Sequence, residues 1–509
     1  LGLTAKLPDW WAPPPDSLAL VERNLFHKDF WFAENAPFHL GPGALALLGL
    51  PFGLLGVIGF SLILRQLFIV EEKLPWPTGA IAGELAISLS EERDPKRFRY
   101  FTIAAIAAAI YTLVQVAAIG LNPFVDFTPR FSQTLPGAIL AISPSLFIFA
   151  IGLVLDPMYL IGVLVGALTT QLIINPILVS KGIIRWFPRI NYIRALNYSF
   201  YDFWISATIG LSIAISIPTL FKSVKLIPKA VRSIKKLSKV KGSGVLSLPV
   251  LVAMMLVGYA YNIVMTYILA PDYPMWLTIL SIVLSFFFTL ISGYTMGLAL
   301  VAIYPPYIDE ALRLTFYKGI NGWLIAPKAT PSGALDLGIG FKAAEITRTN
   351  PMSIIKAHVF GTVYAIALSF IFVPIFWKVF DIPSNTFPCV TWIPTLVYNN
   401  VIWGRQLKIL LRWEYILSFL AIGLVLSLLP GKFMFGLGLV VGLGLMVTGA
   451  MNYILALIVM YVLKRKFGEE WYNKNKTTIA AGVFAGTAIV QILAVVAFLL
   501  PKMLFRYAY

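Results

Sequence analysis

The chain has 509 residues, 59% hydrophobic and 12% charged, with a mean hydropathy of +0.83 and a formal charge of +17. Soluble domains run near ~45–50% apolar and ~25% charged, so an ordinary globular protein is excluded and a polytopic helical membrane protein is indicated. The positive charge does not signal nucleic acid, because the basic residues sit in short loops between apolar runs, as in the cytoplasmic loops of membrane proteins.

Residues 1–40, rich in Pro, Trp and charge (LPDWWAPPPD), read as an extramembrane or interfacial arm. Runs long enough to cross a bilayer, about 20 residues each, cover about 42–68, 100–121, 137–155, 158–179, 203–221, 247–270, 275–303, 356–379, 413–429 and 477–500. The stretch 431–463 reads as one long tilted helix or as two divided near Gly449. Shorter or interrupted segments lie at 76–90, 305–345 and 383–404. The expected fold is an all-α bundle of roughly 11–14 embedded helices, some broken or re-entrant. It divides into a first bundle (41–221), a basic loop (222–245) and a second bundle (246–509).

Pro and Gly interrupt many of these runs, and most such breaks are kinks or close packing. Two differ because charge accompanies the break: Pro75–Glu84 and Pro327–Glu345. They fall in opposite halves, as a repeat would place them, and are expected to approach each other across a central cavity. The basic segment carries Lys222, Lys225, Lys229, Arg232, Lys235, Lys236, Lys239 and Lys241 without an acid. Leu226, Ile227, Val231, Ile234 and Leu237 recur between them at near-helical spacing. It reads as a cytoplasmic amphipathic helix on anionic lipid.

A carboxylate at membrane depth is costly and usually faces a cavity or a partner. Glu84 therefore reads either as a proton-coupling or substrate-ammonium carboxylate, or as a helix-packing group paired to a lysine or capped by backbone. Glu71 and Glu72, about two turns beyond Arg65, read as a solvated or salt-bridged helix end. Lys342 and Glu345 share a helix face, with Asp336 nearly two turns back. They form either a structural ion-pair cluster or a substrate-facing one under the Pro331-Ser332-Gly333 break. Asn122, Asn175 and Asn262 either line a polar path or bond across helices. Tyr294 and Tyr398 are packing or interface aromatics, or ligands. Cys389 is the only cysteine and the three histidines are far apart. An intramolecular disulfide is excluded, and neither a metal nor a cofactor is expected.

The run LRQLFIVEEKLPWPTGAIAGEL (Leu64–Leu85) resembles the glutamate-glutamate-x-leucine-proline-aromatic-proline segment of the oligopeptide transporter superfamily. ALDLGIGFKAAEITRTNP (Ala334–Pro351) is similar to a second stretch of that family, and weaker echoes thread the chain from residue 42 onward. Two spans usually placed before the first motif are missing here. So are the asparagine-proline-glycine and lysine-isoleucine-proline-proline-arginine motifs of eukaryotic peptide carriers. The related yellow stripe-like proteins, which carry metal chelates, have histidine where Glu84 stands.

The resemblance implies a multi-pass transporter of the plasma membrane. It would move small peptides or metal-chelate or siderophore-like compounds with protons by alternating access, with homodimerisation left open. Substrate contacts then fall to Glu84, Asn122, Asn175, Tyr294, Asp336, Lys342, Glu345 and Tyr398, and proton coupling to Glu84, Asp336 and Glu345. The alternative is an integral membrane enzyme or a non-transporting subunit. The chain shows neither an HExxH nor a paired His-acid motif for the former, and no GxxxxGK[ST] for direct use of ATP.

Overall fold

The computed structural model describes residues 26–33, 37–90, 94–120, 124–240, 245–319, 321–379, 411–427, 433–444 and 447–505. The described residues are mostly helical, with one two-residue pair of strands among them. In chain order the helices are α1 (Pro42–Glu71), α2 (Pro77–Leu89), α3 (Pro95–Ile119), α4 (Leu146–Val154), α5 (Pro157–Ser180), α6 (Tyr192–Leu237), α7 (Leu248–Leu269) and α8 (Met275–Ala299). There follow α9 (Ile308–Phe316), α10 (Asp336–Ile346), α11 (Pro351–Val379), α12 (Trp413–Ser427), α13 (Phe433–Gly444), α14 (Val447–Phe467) and α15 (Glu469–Phe505). Among the described residues, 8 helices are long and apolar enough to cross a membrane: α1, α3, α5, α6, α7, α8, α11 and α15. The shorter apolar helices α12 and α13, the 21-residue α14 and the half-length elements α2, α4, α9 and α10 complete the bundle.

Local sequence explains where helices begin. Proline opens α1, α2, α3 and α5, where its missing N–H would have had no helical partner. Asp94 and Asp156 cap α3 and α5 by accepting from the N–H groups of Lys96 (2.9 Å) and Met158 (2.8 Å).

Two segments differ from the sequence reading, and a third takes one of its two alternatives. Residues 137–155 are not one span: β1 (Val125–Asp126) pairs antiparallel with β2 (Ala141–Ile142), and only nine helical residues follow in α4. Gly137, at a φ of +99°, turns the chain here, so composition alone overstated the helix. The stretch 431–463 is two helices, α13 and α14. The basic segment is helical to Leu237 but continuous with the preceding span. Its Leu226, Ala230 and Ile234 are buried while Lys225, Lys229, Lys235 and Lys236 are exposed, so the amphipathic pattern packs one face on protein.

Two large apolar clusters organise the molecule. One joins α2–α5, the first part of α6, and α13–α15; the other joins α1, the later part of α6, α7, α8 and α10. Each draws on both stretches 41–221 and 246–509. Leu298 and Phe433 pack against both clusters and so mark their seam. Without a hydrophobic drive between helices in lipid, close backbone approach through small residues supplies the packing. Gly162 and Gly166 of α5 face the Phe435 and Leu439 carbonyls of α13, and Gly438 and Gly442 return the contact to Tyr159 and Val163.

Candidate functional site: the broken helices and the seam between clusters

The two charged breaks come together, by direct contact. Trp76 donates its N–H to the Gly297 carbonyl (2.8 Å), and its ring fills the space a Cβ on Gly338 would need. From there α2 lies on α10. A Cβ at Gly79 would stand 2.6 Å from the Ile339 carbonyl oxygen, and one at Gly83 3.1 Å from the Ala343 Cα. The spacing of these glycines, one turn apart, lets the two half-length helices pack backbone to backbone. Lys73 (φ +53°) and Trp76 (φ +42°) bracket the extended link before α2 in left-handed backbone, which costs ~1–3 kcal/mol each for residues with a Cβ.

A third break, less marked in charge, lies after α8. Leu300 (φ +59°) ends that helix and Tyr307 (φ +62°) precedes α9, with the chain extended between them. Extended backbone is tolerated at membrane depth only where protein or water satisfies it. Here α8 does so: Thr295 Oγ1 accepts the Ile303 N–H (3.1 Å) and Ser292 Oγ donates to the Ile303 carbonyl (3.1 Å). The segment lines a cavity of about 250 Å³ together with Thr208, Ser212 and Ile215 of α6 and Val440 and Val441 of α13. The cavity is bordered by Leu211, Ile215, Ile303, Val440 and Val441 of the first cluster and is largely apolar, with hydroxyls on one side.

The sequence reading overlooked the ion pair that holds the next segment. Arg313 Nε stands 2.8 Å from Asp309 Oδ2, and both side chains are buried. Arg313 also donates to the carbonyls of Gly322 (2.6 Å), Ala326 (3.2 Å) and Pro327 (2.7 Å). Asp309 Oδ1 accepts the Ala329 N–H (2.9 Å). The pair thus satisfies the backbone leading into the Pro331 break. Tyr317 donates to Asp272 (2.7 Å) and accepts the Gly322 N–H (3.0 Å). Burial, and then the Asp272 carboxylate, push the Tyr317 phenol above its ordinary value against the opposing Gly322 bond, so it stays a donor. Burial likewise pushes the Tyr273 phenol, beside Arg313, up to about 12. An Asp-x-x-x-Arg spacing between two proline breaks was the available signal. The secured segment borders a second cavity, of about 220 Å³, lined by Lys328, Thr330 and Ser332 with Asn262 and Tyr259 of α7 and Gly53 and Gly56 of α1.

The remaining sequence candidates are dispersed. Glu84 is buried; it stands 2.8 Å from Arg97 of α3 and accepts from Thr478 of α15 (2.7 Å). It is a partnered carboxylate joining three helices, and its partner is an arginine where the sequence suggested a lysine or a backbone cap. Lys342 and Glu345 form a 2.6 Å pair; Asp336 is exposed and bonds to neither. The offset explains this: six residues is not a whole number of helical turns. Asn175 is buried and bonds across helices, accepting from Trp204 Nε1 of α6 (2.7 Å) and donating to Gln171 (3.2 Å). Asn262 donates to the Gly258 carbonyl of its own helix (2.9 Å) and lines the second cavity. Tyr294 is buried on α8 with the Lys222 ammonium 5.8 Å from its ring centroid. Asn122 and Tyr398 lie outside the described residues. Among the described residues no cluster of three or more His, Cys, Asp or Glu could hold a metal ion.

No curated protein matches the chain. The family model described as "OPT oligopeptide transporter protein" matches residues 24–498. That match covers nearly every element above, both charged breaks and the seam included. The chain belongs to the OPT oligopeptide transporter family, a family of multi-pass helical membrane proteins.

Proposed function

We propose that this protein is a proton-coupled secondary transporter of the plasma membrane. Its cargo would be a small peptide or a metal-chelate or siderophore-like compound, carried by alternating access between the two packed groups of helices. One observation carries the reading: a non-helical segment, 301–306, is tied to α8 by hydrogen bonds and lines a cavity. Such non-helical backbone is where secondary transporters place their binding sites. A volume of about 250 Å³ lies just below the ~300–1,000 Å³ of small-molecule pockets and suits a small cargo. The exposed lysines of the later part of α6 would face an anionic cytoplasmic leaflet.

Glu84 is the carboxylate we assign to coupling, through its latch. Its charge holds Arg97 and Thr478, and α2 in turn packs on α10. Protonation would weaken the joint between α2, α3 and α15 at once, which is a local charge change acting on a packed element. Glu84→Gln keeps the shape and removes the charge. In proteoliposomes loaded with a small-peptide library, the variant should retain gradient-free exchange and lose accumulation under an imposed pH gradient. Accumulation equal to the parent at every external pH would assign coupling elsewhere, with Asp336 or Glu345 next.

A further inference from the structure

Two of the spanning helices lose their regular turn at the same place. In α5 the Asn175 N–H bonds to the carbonyl of Thr170, five residues back rather than four, and in α6 the Ile205 N–H bonds to that of Phe200 in the same way. Each such π turn is a local widening of the helix, and helices kink there. A third π turn, in α1, leads into the first charged break.

One buried amide joins the π turns of α5 and α6. Asn175 Oδ1 accepts from Trp204 Nε1, at the end of the α6 turn (2.7 Å), and from Ser199 Oγ just before that turn (3.4 Å). Asn175 Nδ2 donates to Gln171 Oε1 inside the α5 turn (3.2 Å), and that oxygen also accepts the Ile139 N–H from the connection between β1 and β2 (3.1 Å). The same connection presses on the joint at Gly137, where a Cβ would stand 2.6 Å from the Pro176 nitrogen. Gln171, Asn175, Ser199 and Trp204 are each no more than 5% exposed. A buried polar network satisfied in this way fixes one arrangement of the groups it joins.

The joint adjoins the α6–α13 cavity on both walls. Thr208, which lines the cavity, is one turn beyond Trp204 on α6. Thr170, the first residue of the α5 π turn, donates to the Leu443 carbonyl of α13 (3.0 Å), about one turn beyond the cavity-lining Val440. The α5 turn thus holds one wall through Thr170 and the other through Asn175 and Trp204. Packing alone does not require this irregularity, since α5 meets α13 at Gly162 and Gly166 on regular helix.

We infer that the paired π turns are the hinge of the cavity and that Asn175 is the positioning residue that holds it. With the amide in place, α6 and α13 keep a fixed separation across the cavity. Breaking its bond to Trp204 lets α6 swing about its π turn, and the wall from Thr208 to Ile215 moves away from Val440 and Val441. The role of this motion in transport rests on the reading of the cavity as the cargo path, but the motion itself is measured without cargo.

The test is cross-linking across the cavity in the purified full chain, in a Cys389→Ser background that carries Thr208→Cys and Val441→Cys. An ethylene-bridged and a hexylene-bridged bis-methanethiosulfonate compete for the two thiols. Adding Asn175→Leu should raise the ratio of long to short bridge about tenfold, the population shift that one buried hydrogen bond can supply. Trp204→Phe keeps an aromatic ring, removes the N–H donor and should raise the ratio in the same sense; it decides alone if the Asn175→Leu protein does not fold. The double variant should go no further than Asn175→Leu, because both cut the same bond. An unchanged or lowered ratio, both bridges forming faster together as in local loosening, or a double variant exceeding Asn175→Leu overturns the hinge. The outcome is separable from the transport reading. A ratio that shifts as stated while both variants accumulate cargo like the parent keeps the hinge and removes the cavity from the path, whereas altered accumulation at an unchanged ratio removes the hinge alone.

Discussion

Removing Arg313 tests whether the buried pair holds the segment that leads into the Pro331 break. Arg313→Met preserves bulk and chain length but deletes one ion pair and three hydrogen bonds to carbonyls. Breaking a buried pair by losing one partner costs about 3–5 kcal/mol, because the other charge is left uncompensated. Here the abandoned charge is Asp309, 3% exposed and retaining only the Ala329 N–H and Ser281 as donors. The second part of the cost is the three carbonyls, at ~1–3 kcal/mol for each buried group that finds no water. Adding Asp309→Asn separates the two parts. It keeps an oxygen for the Ala329 N–H and removes the stranded charge, so it should recover ~1 kcal/mol or more of the loss. The carbonyls stay orphaned, and the double variant remains below the parent. The assay is thermal unfolding of the purified protein in one detergent, comparing parent, Arg313→Met, Asp309→Asn and the double. An Arg313→Met protein as stable as the parent, or a double less stable than Arg313→Met, would refute the reasoning.

Four further outcomes follow from single positions. Gly79→Val should lower the unfolding temperature, because its Cβ would meet the Ile339 carbonyl at 2.6 Å and overpacking costs ~1–3 kcal/mol. Gly361→Ala, which has nothing within 4 Å, should hold or slightly raise it in the same scan. Asn175→Leu should cost ~1–3 kcal/mol by stranding Trp204 Nε1, readable as loss of unfolding temperature with a change in tryptophan emission. A cysteine at Lys236 in a Cys389→Ser background should react with an impermeant maleimide in inverted vesicles and not in intact cells. Efficient labelling in cells would reverse the orientation given to α6.

Much of this architecture can be read directly from composition. Helix class, the long spans and the two charged breaks follow from apolar runs of bilayer length and from proline beside charge. The run 137–155 misleads because a nine-residue half-helix after a hairpin is as apolar as a span, and length is the only discriminator hydropathy offers. Pairing is harder to read than position. Glu84 stands out in the sequence as a membrane carboxylate, but Arg97 and Thr478 reach it from helices far along the chain, and no local spacing announces them. Asp309 and Arg313 were visible as an i,i+4 pair, yet that spacing is common on solvated helices. Only their burial shows that they brace backbone. Lys222 reads as one more positive residue in a basic run, and only the structure shows the Phe433 and Tyr294 rings beside its ammonium.

If the cavity beside the 301–306 segment is the transport path, it opens to each side of the membrane in turn. Ala302 lines it and is exposed there. With Cys389 replaced by serine, Ala302→Cys in proteoliposomes should react with an impermeant maleimide added outside. It should also react, in protein of the same orientation, with the reagent trapped inside. Reaction from both faces is the expected result, whereas reaction from one face alone, at every pH and with every small-peptide or chelate ligand tried, would contradict alternating access through this cavity.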